Sequence, residues 1–475
     1  MSWVRRDNTV NQHGAERFVV AIAILLSTIF FRATSDDTDS EENTTAVVNV
    51  KDFSAIGDGK TDDSLAFTTA LNSLGERGGT LLVPSGKYLV GDLKIGSGTT
   101  LKGIGVPRPI LIKTRHAKNI LDLTGEVIGG QRRGVHNVTI ESITLRGRSV
   151  QDGFSEHVHN VNAMGVKTLV IHNVAFEAFQ GDGLYLGTGF SVTAPVAHNS
   201  EVVVSNSEFR GVNSENRNGI SIIDCDGCMI EHNSFSDISR ADMPGPIDIE
   251  PNRLDETVRN IVIRNNTIKG TNGAAGISIG LRPGVFQKPP GHITLESNSI
   301  ENAKIGISIQ RSYTASVQGE KLGVVIRHNI LRGTGLPLLI DGTSGITVAN
   351  NTFSQSPSSI QIGCNSRSDF SFTGNLLRRI GSESGSGIQL CGQLSSITFH
   401  GNTFIDTGSS AATSSAIYFI SGVMNGVSIV DNRFASPHHI TRAAMRLATT
   451  ATFFDGKVLW TGNILNDDIQ REASQ

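Results

Sequence analysis

Apolar and polar residues alternate with a period of two along most of the chain after about residue 200. This alternation indicates β-strands that bury one face. A Gly-Ile-x-Ile phrase precedes an alternating phrase that ends in asparagine, as in residues 219–222 (GISI) and 229–233 (MIEHN), and the pair then recurs. The asparagines of these phrases lie 22 to 33 residues apart, at Asn206, Asn233, Asn266, Asn298, Asn329, Asn351, Asn375, Asn402, Asn432 and Asn463.

A period of this length is typical of one turn of a solenoid. With two or three short strands per turn stacked in parallel, the chain is predicted to be an all-β protein, a right-handed parallel β-helix solenoid. The repeated asparagines are expected to stack along its axis and to hydrogen-bond to one another. From about residue 436 the pattern departs from the repeat, and we predict a short helix over residues 440–448 and a strand at 458–460.

An N-terminal capping helix is predicted ahead of the repeats. Its buried face is expected to consist of Phe67, Ala70, Leu71 and Leu74, which lie at helical spacing. Thr61 or Asp62 can cap the start of the helix, and Gly75 can end it. Such a helix would cover the first open edge of the β-helix, where unpaired strands otherwise invite aggregation.

The N-terminus predicts export. Arg5, Arg6 and Arg17 precede an apolar run of 14 residues, 18–31, which is short for a membrane span of roughly 20 residues. We therefore expect a secreted or cell-envelope protein, with an uncleaved membrane anchor as the alternative because no clean cleavage site follows. The predicted segments are 1–34, signal peptide or membrane anchor; 35–46, polar linker; 47–104, N-terminal cap and first coils; 105–466, parallel β-helix; and 467–475, polar tail.

Net charge, cysteines and histidines show which partners, disulfides and metal sites are to be expected. The net charge of −3 gives no indication of a nucleic-acid partner. Cys364 and Cys391 lie 27 residues apart, close to one turn, and are candidate neighbours. Cys225 and Cys228 are interpreted either as a turn disulfide or as two thiols. His157 and His159 have the i, i+2 spacing that places two metal ligands on one face of a strand. No third ligand accompanies them, so no metal site is predicted.

The repeat also predicts which side chains share a face, since residues at equal offsets lie about 4.8 Å apart on neighbouring turns. The outward position of the Gly-Ile-x-Ile phrase holds Tyr185, Ser221, Asp248, Ser278, Ser308, Gln361, Gln389 and Tyr418. Most turns place small or neutral groups there. The turn at residues 246–252 (PIDIEPN) instead places Asp248 and Glu250 on one exposed face, about 6.5–7 Å apart.

Further candidate residues are expected on the neighbouring turns. Asp248, Glu250, Asp182 and Tyr185 are the candidate catalytic residues, and the candidate substrate-binding residues are Arg217, Asn218, Arg282 and Arg311. Acid, base, phenol and guanidinium groups on one face are the ingredients of a carbohydrate-cleaving groove. The alternative is structural, because Asp and Asn at solenoid turns often satisfy backbone groups.

Residues 50–63 (VKDFSAIGDGKTDD) and 78–90 (GGTLLVPSGKYLV) closely resemble the N-terminal segment of the pectate-lyase-like superfamily, which includes phage tailspikes, polysaccharide-degrading enzymes and mannuronan epimerases. Residues 181–187 (GDGLYLG), 217–221 (RNGIS) and 245–252 (GPIDIEPN) resemble a block that recurs within that superfamily. The resemblance implies a parallel β-helix with a shared site on these segments. It does not specify a reaction.

Three hypotheses of function share a polysaccharide as partner and allow a homotrimer. The favoured one is a glycoside hydrolase that needs no cofactor, in which one of Asp248 and Glu250 protonates the leaving oxygen and the other activates water. The alternative is a uronate-directed lyase or epimerase, in which Arg217 or Arg282 neutralises the substrate carboxylate, Tyr185 moves a proton, and the paired acids hold Ca²⁺. Motifs similar to those of mannuronan epimerases and polygalacturonases are absent. The third hypothesis is a non-catalytic surface protein that binds glycan.

Overall fold

The computed structural model describes residues 45–128, 131–189, 197–212, 215–282, 286–311, 321–365, 368–409, 413–454, 458–466 and 468–472. The predicted export segment, residues 1–34, lies outside these ranges. Within them, no helix is long and apolar enough to cross a membrane.

The chain winds through three parallel faces, which we call sheets A, B and C, in that order on each turn. Sheet A consists of Ala46–Asn49, Gly79–Pro84, Thr99–Ile104, His136–Glu141, Lys167–His172, Ser200–Ser205, Cys225–Glu231, Val258–Arg264, Gly291–Glu296, Val324–Arg327, Ile346–Ala349, Ser368–Thr373, Leu394–His400, the second half of Ser415–Val430, Ala451–Phe453 and Val458–Thr461.

Sheet B consists of Asp58–Asp62, Lys87–Val90, Ile110–Lys113, Thr144–Arg146, Ala175–Glu177, Glu208–Arg210, Ser234–Ser236, Thr267–Lys269, Ser299–Glu301, Ile330–Arg332, Thr352–Ser356, Leu376–Ile380, Thr403–Ile405, Arg433–Ala435 and Ile464–Leu465. Sheet C consists of Leu93–Lys94, Leu121–Thr124, Val161–Met164, Leu184–Gly187, Ile220–Ile222, Ile247–Ile249, Ala275–Leu281, Ile305–Arg311, Leu336–Asp341, Ile360–Ile362, Ser386–Cys391, the first half of Ser415–Val430, Ala443–Leu447 and Gln470–Glu472.

The elements outside the three faces are few among the described residues. They are an antiparallel hairpin, Glu126–Ile128 and Gln131–Arg133, a 3₁₀ turn, Val50–Phe53, and two helices, Ser64–Ser73 and Ser149–Asp152. The isoleucines, valines, leucines and phenylalanines that point inward from all three sheets form one continuous core. The predicted parallel β-helix is therefore confirmed.

The predicted capping helix is present as Ser64–Ser73. Phe67, Ala70 and Leu71 are buried on its inner face, and the Phe67 ring packs edge-on against Tyr88 with 5.3 Å between ring centroids. Because this face joins the continuous core, the helix closes the first end of the solenoid.

The start of the helix differs from the prediction. The N-cap position is occupied by Asp63 rather than by Thr61 or Asp62. The Asp63 carboxylate accepts hydrogen bonds from the backbone N–H groups of Ile56 (2.6 Å) and Gly57 (3.1 Å), so it ties the preceding loop to the helix. Asp62 accepts from the backbone N–H of Ser64 at 2.9 Å and still satisfies one group of the first turn.

The predicted asparagine ladder runs from Asn233 to Asn463 along the corner between sheets A and B. At each step, the backbone N–H and the Nδ2 of one asparagine donate to Oδ1 of the next, at 2.9–3.1 Å. The prediction was wrong for Asn206, which is exposed with φ +50°. Ser207 takes its place, and its backbone N–H donates to Asn233 at 2.9 Å.

The glycine of the Gly-Ile-x-Ile phrase is explained by close packing. A Cβ on Gly219 would lie 2.9 Å from both the Phe235 ring and the carbonyl oxygen of Pro246. At Gly276, a Cβ would lie 2.7 Å from the Ile300 side chain and 2.9 Å from the carbonyl oxygen of Gly306. The glycine therefore lies at the entry to sheet C, where a core side chain of sheet B and the backbone of the next turn leave no room for a Cβ.

The C-terminal turns differ in part from the prediction. Residues 440–448 do not form a helix, because Ala443–Leu447 is a strand that pairs in parallel with the preceding turn, Ile417 opposite Met445. The predicted strand at 458–460 is present as Val458–Thr461. Gln470–Glu472 extends sheet C within the segment predicted to be a polar tail. The cysteines of neighbouring turns, Cys364 and Cys391, form a disulfide, whereas Cys225 and Cys228 are buried thiols.

We predict that Asn329→Ala lowers the free energy of unfolding by about 3 kcal/mol, because it leaves the buried backbone N–H of Asn298 and the carbonyl oxygen of Leu295, both on the preceding turn, without their partners. Urea denaturation followed by circular dichroism measures the change. The matched control is Asn425→Ala, since Asn425 is exposed on the strand Ser415–Val430. Equal stability of the two variants would contradict a supporting role for the ladder.

Candidate active site

The predicted outward row of sheet C is present in the register of the strands. Tyr185 pairs with Ser221, Ser221 with Asp248, and Asp248 with Ser278. The row continues through Ser308, Leu339, Gln361, Gln389 and Tyr418. Leu339 was missed because its turn lacks the Gly-Ile phrase. The repeat spacing otherwise predicts each residue of this row correctly.

The expectation of a solvent-exposed pair of acids was wrong. Asp248 and Glu250 are 1% and 6% exposed. Their outward side chains are enclosed by the turns that lead into and out of sheet C, where Asp182, Arg217 and Asn218 are also buried. The strand period correctly places both acids away from the apolar core, but it does not reveal that the neighbouring loops cover them.

Arg217 lies at the centre of the site. It comes from the turn before the strand Ile220–Ile222, so it stands between the turn that carries Asp182 and the turn that carries Asp248 and Glu250. Its Nη2 donates to Glu250 Oε2 at 2.7 Å and lies 4.0 Å from Asp248 Oδ2. Its Nη1 lies 3.4 Å from Asp182 and donates to Ser221 Oγ at 2.8 Å. One guanidinium thus contacts three carboxylates from two different turns.

Electrostatics keeps Arg217 charged despite its burial. Burial alone lowers the pKa of the guanidinium, but the carboxylates of Asp182, Asp248 and Glu250 outweigh it and raise that pKa. Glu156, which was not predicted, adds a fourth acidic contact at 3.5 Å from Nε. Arg217 is therefore a fixed positive charge that the acids surround.

Asp248 is the carboxyl group most affected by burial. Burial, the neighbouring Glu250 and Asp182 raise its pKa well above the usual range, and Arg217 opposes them only partly. Asn218 Nδ2 donates to its Oδ2 at 3.4 Å. Its buried Oδ1 finds no hydrogen-bond partner among the described residues. Asp248 is therefore poised to be the neutral, protonated acid of the group.

Glu250 has two cationic partners. Besides Arg217, it accepts a hydrogen bond from Nη2 of Arg282, which follows the strand Ala275–Leu281 on the next turn. The Arg282 side chain remains 66% exposed. Glu250 is therefore held between one buried and one exposed guanidinium.

His159 also belongs to the site, although the sequence analysis considered it only as a possible metal ligand. It lies in a loop before the strand Val161–Met164, and its ring stacks on Tyr185 with 4.7 Å between centroids and 9° between planes. Its Nδ1 accepts the backbone N–H of Asp182 at 3.2 Å, which places its own proton on Nε2. The alternation of His157 and His159 was the only sequence signal.

The environment fixes the protonation of this stack. Burial lowers the pKa of His159 to about 3, and the Arg217 charge acts in the same direction. Burial, followed by the Asp182 charge, raises the pKa of Tyr185 to about 12. At neutral pH both rings are therefore uncharged. A glycine at position 187 makes room for the phenol, because a Cβ there would collide with the Tyr185 ring.

Arg311 stands apart from the acids. It is buried, is level with Leu281 in sheet C, and lies over the Phe286 ring with 5.9 Å from guanidinium carbon to centroid. The structure thus brings together seven of the eight predicted site residues and places Arg311 one turn beyond them. Which of these residues act in catalysis or binding stays a prediction.

The acids do not form a Ca²⁺ site as they stand. The described residues contain no group of three or more His, Cys, Asp or Glu side chains able to hold a metal ion. Asp182, Asp248 and Glu250 do converge, but the guanidinium of Arg217 occupies the space between them. A cation there would have to displace Arg217.

Comparison with protein-family profiles identifies the family of this chain. The profile described as "Rhamnogalacturonase A/epimerase, pectate lyase-like" matches residues 47–334, more than half of the sequence. The chain belongs to this family. A second profile, "Right handed beta helix region", matches residues 283–452 and gives the hand of this family member's solenoid.

Individual relatives match over shorter segments. Alginate lyase 7 of Azotobacter vinelandii is 29% identical over 177 residues, 28% of this chain and 20% of that protein. Mannuronan C5-epimerase AlgE1 of the same organism is 28% identical over 182 residues, 29% of this chain and 13% of that protein. The matched part of the chain spans a fifth or less of the length of these two relatives.

Solved structures confirm the fold. The A-module of the Azotobacter vinelandii mannuronan C5-epimerase AlgE6 superposes with a TM-score of 0.57 at 18% identity, covering 88% of this chain and 99% of that one. A tailspike protein of the Escherichia coli bacteriophage HK620, in complex with a hexasaccharide, gives 0.64 at 13% identity, covering 89% and 79%. At these identities the likeness is one of architecture.

We predict opposite pH dependences for two site variants. Asp182 has a pKa of about 6 when folded against an ordinary 3.8, so it stabilises the fold below pH 3.8 and this stabilisation is lost as the pH rises through 6. His159, at about 3 against 6.5, stabilises the fold above pH 6.5 and loses this effect as the pH falls towards 3. Between pH 4 and 6 the two contributions, about 2–3 kcal/mol each, oppose one another.

Urea denaturation at pH 4, 5 and 6 measures the two contributions separately. Relative to the wild type, His159→Phe should lose stability as the pH rises, because Asp182 is then uncompensated. Asp182→Asn should gain stability as the pH rises. If both variants follow the wild-type profile, neither group titrates as its surroundings indicate.

Proposed function

We propose that this chain cleaves a polysaccharide by hydrolysis at the cluster around Arg217, with Asp248 as general acid and Glu250 as the carboxylate that activates water. The observation that carries the proposal is the burial of three carboxylates around one guanidinium on the outward face of sheet C. Such burial is costly to stability, and buried groups with perturbed pKa values concentrate at functional sites. The next two turns of the same row hold only Ser278 and Ser308.

The division of charge supports the two roles. A glycosidase needs one neutral carboxylic acid and one ionised carboxylate close together. The raised pKa of Asp248 supplies the first. Glu250, which accepts hydrogen bonds from Arg217 and Arg282, is the candidate for the second. Oδ1 of Asp248 is buried, so a proton on it could pass to a leaving-group oxygen only once the cluster is opened to the substrate.

Access to the acids depends on Arg282. Its side chain is largely exposed, whereas Arg217 beneath it is 9% exposed. A glycan that accepts hydrogen bonds from Arg282 would draw it away from Glu250 and uncover the acids. Tyr185, half-buried beside them, presents an aromatic ring for sugar packing. Export, as predicted from residues 1–34, would bring the chain to extracellular polysaccharides.

A second candidate is action on a uronate polymer by elimination or epimerisation, which the names of the matched relatives favour. Arg282 is the exposed cation that would bind a substrate carboxylate. Tyr185, with its pKa raised to about 12, would serve as a proton donor rather than as a base. Ca²⁺ does not fit between the acids while Arg217 holds them, so this candidate would rely on the arginines for charge neutralisation.

The two chemistries give different products. The purified chain is incubated with alginate, polygalacturonate and neutral glycans, and both reducing ends and ultraviolet absorbance of unsaturated sugars are followed. New reducing ends without absorbance support hydrolysis, and both signals together support elimination. A chain that binds a glycan but releases no product from it, at any pH from 4 to 8, overturns the proposal in favour of glycan binding alone.

We predict that Asp248→Asn and Glu250→Gln each reduce the cleavage rate by about 100-fold or more, because each removes one partner of acid–base catalysis. Initial rates at saturating substrate measure the effect. The control is Glu296→Gln, which removes an acid paired with Arg327 on sheet A, away from the cluster, and should leave the rate unchanged. Full activity of both site variants would exclude this pair of acids.

A further inference from the structure

A cavity of about 750 Å³ opens at the first turns of the solenoid. Its lining includes Lys94, Gly96, Asp122, Thr124 and His136. One wall comes from the end of the capping helix and the other from the hairpin that begins at residue 126. The volume is in the range that binds small organic ligands.

The cavity and the acid cluster lie on the same face. Lys94 pairs with Asp122, Asp122 with Asn162, and Asn162 with Tyr185. From Tyr185 the same row continues through Ser221 to Asp248. Four steps of about 4.8 Å separate Asp122 from Asp248, a distance of about 19 Å.

The polar groups of the cavity suit a ligand rich in hydroxyl groups. Asp122 is part of a network in which it accepts hydrogen bonds from Thr124 Oγ1 (2.7 Å) and Asn162 Nδ2 (3.2 Å) and pairs with Lys94. Donors and acceptors are therefore fixed side by side at the cavity wall. The lining also carries Glu76, Glu126 and Arg133, so charges of both signs are present. A sugar ring offers hydroxyls that both donate and accept, whereas an ionic ligand would need an excess of one charge.

Gly96 is a lining residue at which a side chain can be added. A Cβ added to it would meet no atom within 4 Å, and its backbone φ lies outside the left-handed region. A side chain at this position would therefore enter empty space without straining the strand. Gly96 lies two residues after Lys94, level with Thr124 in the register of the two turns, and both residues line the cavity.

We infer that this cavity is a distal subsite for a sugar unit of the same polysaccharide chain that reaches the acid cluster. The inference rests on the proposed function and extends it, since it makes the substrate a polymer long enough to span both places. At roughly 5 Å per sugar unit, close to the spacing of the turns, about four units lie between the subsite and Asp248. Asn162 and Tyr185 lie along the path between them.

The test uses Gly96→Phe in the cleavage-deficient Asp248→Asn protein, so that the polymer stays intact. Mobility in native gels that contain alginate, polygalacturonate or hydroxyethylcellulose gives a dissociation constant for each polymer. For a polymer that retards the Asp248→Asn protein, Gly96→Phe should raise the dissociation constant at least tenfold. Asn425→Phe, which places the same ring on an exposed position of sheet A, should not change it. Thermal melting confirms that both variants are folded.

Oligosaccharides of defined length provide a second measurement. Affinity should increase up to about six units and then level off, and Gly96→Phe should remove this increase while leaving the affinity for a disaccharide unchanged. Unaltered binding of all lengths by Gly96→Phe would overturn the subsite, as would the absence of retardation by every polymer. If Gly96→Phe weakens binding while Asp248→Asn and Glu250→Gln retain full cleavage, the subsite stands and the proposed acids fail.

Discussion

The stacking of one turn on the next is the constraint on which the rest of this structure depends. At the corner between sheets A and B, each turn bends through a residue of positive φ, such as His328, followed by an asparagine whose amide joins its two neighbours. Because each amide accepts from a backbone N–H and donates to a carbonyl oxygen of the preceding turn, a slip of one residue would leave these groups buried without a partner. The ladder therefore fixes the register of the turns that it joins, from Asn233 to Asn463.

The register in turn determines the composition of the site. Residues more than 60 positions apart in sequence, Asp182 and Glu250, are brought within reach of one guanidinium because they lie on turns on either side of Arg217. The planar fork of arginine holds five donors in fixed directions on three nitrogens, whereas the ammonium of lysine is a compact point charge. The ladder itself begins at Asn233, in the turn that leads to Asp248, with Ser207 as its end piece.

The period of the sequence was sufficient to predict the fold, the capping helix and the row of side chains that carries the acids, since these depend on local alternation and a fixed spacing. The burial of Asp248 and Glu250 could not be predicted, because it is produced by loops of irregular length. His159 comes from such a loop, and only its position on the Tyr185 ring reveals its role. Asn206 misled because it lies one residue before the corner position, as the pairing of Ser205 with Glu231 shows. At residues 440–448, pairing with the adjacent turn overrode the local pattern.

A buried cluster of this kind is stable only while its parts stay in register. Asp182, Asp248 and Glu250 would repel one another without Arg217, and Arg217 would be an isolated buried charge without them. Hydrogen bonds from Asn218 and the stack of His159 on Tyr185 fix the remaining groups. A rigid β-helix supplies what such a cluster needs, because the backbone spacing cannot relax as the charges repel. The repulsion is therefore met at the side chains, by the charges of Arg217 and Arg282 and by the raised pKa of Asp248.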